Sequence, residues 1–230
     1  DAIFARLESR FGISLPAAPG LDTLACLEAA REGRMRAGFC LGGNLYGASP
    51  DSMFAREALA RLDLLVHLST KLNTGHVRGL AQETLILPVL ARDEEPQPTT
   101  QESMFNYVRL SDGGPARHAG PRSEVQVIAT LAAGALSDAR QPLDWRAMAD
   151  TGRIREAIAA VIPGFEKMAT IDATREEFHV RGRLFHAPRF ATADGRARLH
   201  VHELPALDGG NGAFRLMTVR SEGQFNTVVY

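Results

Sequence analysis

The chain has 230 residues, 45% hydrophobic and 23% charged, so it is long enough to bury a core and has the composition of an ordinary globular protein. A formal net charge of −1 leaves no excess of Lys and Arg for a phosphate backbone, which disfavours general nucleic-acid binding. Two cysteines are too few for a cysteine-only zinc site or an iron–sulfur cluster, and no apolar run approaches the ~20 residues that span a bilayer, so a cytoplasmic protein without membrane association is expected.

The first ninety residues alternate between helical and strand-like patterns, which is typical of a parallel α/β sheet. Helix caps, apolar spacing and turn residues place the elements. In order, they are a helix from the Asp22-Thr23 cap to Gly33, a strand at 35–41, a helix from Ser49-Pro50-Asp51 to about Arg61, and strands at 64–68 and 84–90. The last two strands are continuous apolar runs, which indicates burial on both faces.

The second half of the chain passes from a polar loop to helices and then to strand-like segments. Residues 93–103 (DEEPQPTTQES) are typical of an exposed loop, and a weak strand pattern follows at 105–110. Helices are predicted at 122–136, 143–149 and 154–161, and strand-like segments recur from Phe178 to Val219. These patterns predict an α/β lobe over residues 1–170 and an incomplete β-rich unit over residues 171–230.

Both ends of the chain indicate a segment of a longer protein. The first residue is Asp1 rather than Met, and the last, Tyr230, lies within the apolar, strand-like run TVVY. We therefore expect a chain excised from a larger protein, with a complete protein trimmed at its ends as the alternative.

Two polar turns are predicted at the same edge of the sheet. Gly42-Gly43-Asn44 follows the first strand, where glycines allow backbone N–H groups to approach a phosphate. Ser69-Thr70-Lys71-Leu72-Asn73 follows the next strand, with His76 shortly after, and Lys71 is a suitable phosphate partner. The alternative for the first segment is an ordinary tight turn, and for the second a polar connection in which Thr70 or Asn73 caps the following turn.

Two further groups of residues are weaker candidates. Arg92 and Glu94 follow the third strand at the same edge and are candidates to face inward, although solvated loop charge is the preferred interpretation of each. His200 and His202 alternate with apolar residues and would share one strand face, an arrangement that suits two zinc ligands, but no third ligand has a suitable spacing. Exposed strand histidines are therefore the preferred interpretation.

Four short motifs in a fixed order carry a resemblance to a known family. They are FCLGGN at 39–44, STKLN at 69–73 before His76, LILP at 85–88 before Arg92 and Glu94, and TVRSEGQFNT at 218–227. Together they resemble the C-terminal half of the formate-dehydrogenase-alpha-like molybdopterin oxidoreductases over nearly the whole chain. Members of this family hold molybdenum in a bis-molybdopterin guanine dinucleotide, between α/β lobes and a C-terminal β-barrel.

The resemblance implies a fold, a cofactor and a set of binding residues. The fold would be a Rossmann-like parallel-sheet lobe flanked by helices, followed by the truncated start of a β-barrel cofactor-binding domain. The cofactor-binding residues would be Gly42, Gly43, Asn44, Ser69, Thr70, Lys71, Asn73 and His76 on the lobe, and Thr218, Arg220, Ser221, Gly223, Gln224 and Asn226 on the barrel side. Arg220 would pair with a phosphate or a pterin group, because its guanidinium suits such acceptors.

The resemblance also implies what this chain lacks. A 4Fe–4S cluster and the residues around molybdenum would lie in an N-terminal part of the parent protein, so no catalytic residue and no metal ligand are expected here. The small-molecule substrate would be bound through the rest of the parent chain. The binding alternative is a stand-alone nucleotide-binding module without redox activity, and a nicotinamide dehydrogenase ranks last because the GxGxxG fingerprint is missing.

Overall fold

A computed structural model describes residues 2–103, 106–136, 143–181, 190–204 and 214, and the backbone of 224–225 and 228–229. The chain divides into two compact units, residues 1–181 and 182–230. The predicted boundary at residue 170 falls inside the first of these units. No helix in the described ranges is both long and apolar enough to cross a membrane.

A three-stranded parallel sheet organises the N-terminal part of the first unit. Its strands are β1 (Ala37–Leu41), β2 (Leu64–Ser69) and β3 (Glu83–Pro88), in the order β1-β2-β3. The central strand β2 is almost entirely buried, as its apolar run predicts. Because neighbouring parallel strands end at one edge, the turns that follow β1 and β2 lie side by side.

Helices cover both faces of this sheet. The helices around it are α2 (Thr23–Arg31), α3 (Leu45–Ala48), α4 (Ser52–Leu59), α5 (Gly75–Arg78) and α6 (Glu124–Ala135), whereas α1 (Ala2–Phe11) packs against the helix at Thr151–Val161. Leu65 packs with α2 and α4 on one face, while Val66 and Leu68 pack with Val127 of α6 on the other. Each fully buried leucine contributes about 1.5–3 kcal/mol to the free energy of unfolding. The predicted α/β class, a Rossmann-like lobe flanked by helices, is confirmed.

A second, antiparallel sheet completes the first unit. It comprises β4 (Thr99–Glu102), β5 (Tyr107–Ser111) and β6 (Phe178–His179), and it is accompanied by α7 (Thr151–Val161) and α8 (Ile171–Thr174). Val108, Phe165, Ile171 and Phe178 share a core beside this sheet. Arg155 of α7 is buried, and its guanidinium donates to the carboxylate of Asp172 and to a backbone carbonyl.

Several element predictions need correction. Strand β3 is an edge strand with Leu85 and Ile86 exposed, so the prediction that it is buried on both faces is wrong. An apolar run marks a strand, but whether a neighbouring strand covers it depends on distant sequence. Asp51, and not Ser49, caps α4 by accepting from the N–H groups of Met53 and Phe54. The predicted helix at 143–149 is reduced to a single 3₁₀ turn, Ala147–Ala149.

The second unit is described only in part. Residues 190–204 contain turns and bends but no strand, so the strand predicted around Leu199 and Val201 is wrong for this segment. Both side chains are exposed there, and alternation without a buried face gives a strand nothing to pack against. Strands β7 (Gln224–Phe225) and β8 (Val228–Val229) form a short antiparallel hairpin.

Candidate functional site

Two turns meet at the carboxyl-end edge of the parallel sheet. The first, residues 42–44, follows β1, and the second, residues 70–75, follows β2; we call them together the double turn. The first turn begins with the Gly42 N–H donating to the carbonyl of Leu68 at 2.8 Å. The structure thus brings together the two polar segments that the sequence placed at one edge.

Two asparagine side chains join the turns. The Asn44 amide donates through Nδ2 to Thr74 Oγ1 at 3.0 Å and accepts through Oδ1 from the Gly47 N–H at 2.8 Å. The Asn73 amide donates through Nδ2 to the Gly43 carbonyl at 2.9 Å and accepts through Oδ1 from the Gly75 N–H at 2.9 Å. Both amides are engaged at each end, so they fix the shape of the double turn rather than reach outward.

Gly75 lies where these side chains meet. A Cβ atom there would be 2.4 Å from Asn44 Oδ1 and 3.0 Å from Asn73 Oδ1, closer than van der Waals contact allows. Moving either oxygen would break a hydrogen bond that joins or shapes the turns. A residue without a side chain is therefore required for the interlocked arrangement.

Several donors of the double turn remain available to a ligand. Gly42 and Gly43 have φ values of +66° and +68°, and a Cβ built on either would meet nothing within 4 Å. Within the described ranges, the backbone N–H groups of Gly43 and Asn44 have no hydrogen-bond partner, and the exposed Lys71 ammonium has no ion pair. Backbone N–H groups and an ammonium group are both donors suited to anions such as phosphate.

Ser69 and Thr70 complete the second turn. The Ser69 hydroxyl donates to the carbonyl of Lys71 at 2.7 Å, so it stabilises the second turn by a hydrogen bond within that turn. Thr70 is exposed, and its side chain contacts no hydrogen-bond partner among the residues that the structure describes. Thr70 and Lys71 are therefore the side chains of this segment that face solvent with unused hydrogen-bonding groups.

His76 is placed beneath the double turn rather than at its surface. It is 6% exposed, and its Nδ1 accepts a hydrogen bond from the Asn73 N–H at 3.0 Å. Its ring meets that of His67 edge to face, with the centroids 4.7 Å apart. Burial lowers the pKa of His67 and the neighbouring His76 lowers it further, so His67 is neutral at neutral pH. The Nε2 atom of His67 is buried without a hydrogen-bond partner.

The third polar segment plays a structural part in the first unit. Glu94 accepts hydrogen bonds from the N–H groups of Arg117 at 2.8 Å and Ala91 at 3.0 Å. These two backbone hydrogen bonds lower the pKa of its carboxyl group. The carboxylate thus stabilises the loop after β3 by hydrogen bonds to its backbone instead of facing solvent. The sequence could not distinguish these two roles.

The remaining candidates lie in the second unit. His200 and His202 stack with their ring centroids 6.2 Å apart, and in the described ranges no group of three metal-ligating side chains is found. Thr218, Arg220, Ser221, Gly223 and Asn226 lie outside the described residues, and only the backbone of Gln224 is described, in β7. Their binding roles stay predictions.

Sequence reasoning missed three residues that shape this site. Thr74 and Gly75 belong to the interlock, and His67 lies against His76. The interlock joins residues thirty positions apart, so no local pattern could have indicated it. His67 had one usable signal, since it is a polar residue within an otherwise apolar run.

The chain is similar in sequence to proteins that are named oxidoreductases. No protein-family model matches it. Over its whole length it is 37% identical to an uncharacterized oxidoreductase of Mycobacterium tuberculosis and to one of Mycobacterium bovis. It is 34% identical, over 98% of its length, to protein YdeP of Escherichia coli. The chain spans about 30% of the length of these curated relatives.

These comparisons correct the family resemblance. The relatives carry the name oxidoreductase or the name YdeP, and none is named a molybdopterin enzyme or a formate dehydrogenase. The assignment to the formate-dehydrogenase-alpha-like family is therefore wrong. It rested on short strings at strand ends, and glycine turns with polar neighbours recur at the edges of many α/β sheets because of their backbone requirements.

Proposed function

We propose that this chain forms part of an oxidoreductase and that its double turn binds the phosphate groups of a dinucleotide cofactor. The oxidoreductase class is supported by the names of the mycobacterial relatives, which match the chain over its full length. The binding role is supported by the double turn, which contains two backbone N–H groups without a hydrogen-bond partner in the described ranges and the exposed Lys71 side chain. Such donors act on phosphate irrespective of the rest of the ligand.

The interlock of the two turns is the observation that carries this proposal. An ordinary tight turn needs one local hydrogen bond, whereas here two asparagines tie segments thirty residues apart into one rigid edge. Rigid placement lowers the entropic cost of binding, because the donors need no reordering when a ligand arrives. The two glycines carry no side chain at the first turn, and the space that a Cβ would occupy there is open.

For the cofactor we propose bis-molybdopterin guanine dinucleotide with molybdenum, without the family assignment. The donor set fits the phosphates of such a group, and the N–H groups of Gly43 and Asn44 and the Lys71 ammonium would hold them. When bound, this cofactor supplies two-electron transfer at its metal. Among the described residues no cluster fits a metal ion, so this chain's own part is to bind and orient the dinucleotide.

The proposal is tested on the full-length protein that carries this chain, purified without air. The measurement is the molar content of guanine nucleotide, pterin and molybdenum in the wild type, Lys71→Gln and Lys71→Arg. We expect Lys71→Gln to lower nucleotide content or affinity about tenfold, since a charge-assisted phosphate hydrogen bond is worth roughly 1.5–3 kcal/mol. Lys71→Arg should retain most of the nucleotide content, because the positive charge is kept.

Lys167→Gln is the matched control, because it removes the same charge from an exposed ion pair with Glu176 in the same unit. Its cofactor content should equal that of the wild type. Folded wild-type protein without any guanine nucleotide would overturn the binding proposal. Nucleotide without molybdenum or pterin would overturn the redox cofactor and favour a binding module that performs no redox chemistry.

A further inference from the structure

His76 makes one hydrogen bond that reaches the double turn. Its Nδ1 is the acceptor for the Asn73 N–H at 3.0 Å, and the same residue, Asn73, donates from its side chain to the Gly43 carbonyl. Because Nδ1 accepts, neutral His76 carries its proton on Nε2. The position of Gly43 in the first turn thus depends on the protonation state of a buried ring beneath the second.

A second histidine ring packs directly on that of His76. The His67 ring lies edge to face on His76, and the side chains are only 5% and 6% exposed. Two imidazolium rings at this separation would repel each other in a region from which water is excluded. Burial lowers the pKa of His67, and the Asn73 hydrogen bond is made in the state in which His76 Nδ1 carries no proton.

We propose that His76 is the positioning residue of the double turn and that the His67–His76 pair acts as a pH-sensitive latch, which releases the second turn when it is protonated. This inference rests on the proposed function, because it describes how binding at that same edge is regulated. Its physical part, the release of the turn, can be observed without any ligand.

Protonation changes the chemistry of the latch at one atom. A proton taken from water onto His76 Nδ1 converts the acceptor into a donor, which then faces the Asn73 N–H, another donor. The hydrogen bond is lost, and the Asn73 side chain loses the backbone anchor that holds it against Gly43 and Gly75. The backbone donors of the first turn are then no longer held in position for phosphate.

The groups around the pair offer nothing to offset the added charge. Beside His67, β1 presents Cys40 and β3 presents Ile86 in register. Burial raises the pKa of the Cys40 thiol, which keeps it neutral. On the turn and helices next to His76, the charged or titratable residues include Lys71 of the second turn, Arg78 of α5, and Tyr46 of the neighbouring α3. No carboxylate contributes to the pKa of His67.

Hydrogen exchange tests the latch on the full-length protein. We compare the protection of amides in residues 70–76 at pH 7.5 and pH 5.5, using amides of α4 to correct for the intrinsic pH dependence of exchange. The wild type should lose at least about tenfold in protection at the lower pH. His76→Asn keeps an acceptor near Nδ1 but cannot be protonated there, so its protection should be the same at both values.

His76→Leu removes the acceptor and should be unprotected at both pH values. Should it fail to fold, His76→Asn still decides the question if its far-ultraviolet circular dichroism matches the wild type. Unchanged protection in the wild type between the two pH values would overturn the latch. So would an equal loss of protection in His76→Asn.

Binding of GDP then separates the latch from the proposed function. If the latch operates, GDP should bind the wild type at least about tenfold more weakly at pH 5.5 than at pH 7.5. His76→Asn is the control, because any change in its affinity with pH comes from titration of the GDP phosphates and not from the latch. If exchange responds to pH but GDP binds at neither value, the latch stands and the binding function fails. A different result separates them the other way. If GDP binds, but the wild type and His76→Asn show the same pH dependence of amide protection and of GDP affinity, the latch fails and the function stands.

Discussion

Gly75 is the residue on which the double turn depends most directly. A methyl group at this position would be 2.4 Å from Asn44 Oδ1, and that oxygen also caps α3 through Gly47. We expect Gly75→Ala to break the interlock, to lower the free energy of unfolding by about 1–3 kcal/mol, and to abolish phosphate binding at this edge. Urea denaturation and GDP titration measure the two effects.

Gly134→Ala provides the control for Gly75. Gly134 lies in α6, and a Cβ there would meet nothing within 4 Å. Alanine should stabilise this helix by roughly 0.5–1 kcal/mol, because it restricts the unfolded chain more than glycine does. Equal effects of the two substitutions on stability would show that the interlock around Gly75 contributes nothing.

The sequence predicts which residues gather at the site but not what each one does. Gly42, Gly43 and Lys71 could be placed at one edge because parallel strands end together. Asn44 and Asn73 are predicted to bind the cofactor, and the structure shows that their side-chain amides are used within the turns, while their binding role stays a prediction. This division of roles depends on hydrogen bonds between residues far apart in sequence, which a local pattern cannot encode.

At the scale of elements, strand β2 contains a titratable group in its buried interior. The pKa of His67 is lowered in the folded state, whereas an unfolded histidine titrates near 6.5. Below about pH 6.5 the unfolded chain therefore binds a proton that the folded chain resists, and the free energy of unfolding falls as the pH falls. The slope for one proton is at most about 1.4 kcal/mol per pH unit.

We therefore predict that the urea midpoint of the wild type decreases between pH 7 and pH 5.5 and that His67→Leu makes this dependence shallower. Carboxyl groups with lowered pKa, such as those of Glu94 and Glu177, contribute only at more acidic pH. His118→Gln, at an exposed position, should leave the dependence unchanged. An equally steep decrease in His67→Leu would contradict this account of β2.

The helices and strands that the sequence predicts are those long enough for their apolar residues to show a repeating spacing. Strands β1 and β2 and helices α2, α4 and α6 were predicted because each spans several turns or a continuous apolar run. Helices α3 and α5 have four residues each, a single turn, and no periodicity can indicate them. Strand β4 lies in the polar run TTQE, where pairing with β5 outweighs the composition.

At the scale of the whole molecule, burial patterns predicted the fold class correctly, whereas short motifs did not predict the family. The α/β class follows from burial patterns that any sheet flanked by helices must satisfy, so it could be predicted. The family assignment depended on short strings at strand ends, and the relatives did not bear it out. Motifs of that kind record backbone requirements that many α/β proteins share, whereas full-length similarity reflects common descent.

The end of the first unit can be tested by truncation. The core beside the antiparallel sheet includes Ile171, Phe178 and Val180, which are 0%, 6% and 2% exposed, and all three lie beyond residue 170. A chain of residues 1–181 retains them, whereas a chain of residues 1–170 removes them along with strand β6. The two truncations therefore differ mainly in whether this core is complete.

We predict that residues 1–181 unfold cooperatively and that residues 1–170 do not. Loss of three buried apolar side chains at about 1.5–3 kcal/mol each removes roughly 5–9 kcal/mol, which is comparable to the whole stability of a typical domain. The core around Val108 and Phe165 would then lose three of its buried members. Thermal unfolding followed by circular dichroism measures the outcome, and a cooperative transition of equal midpoint in both chains would place the end of the α/β unit at residue 170.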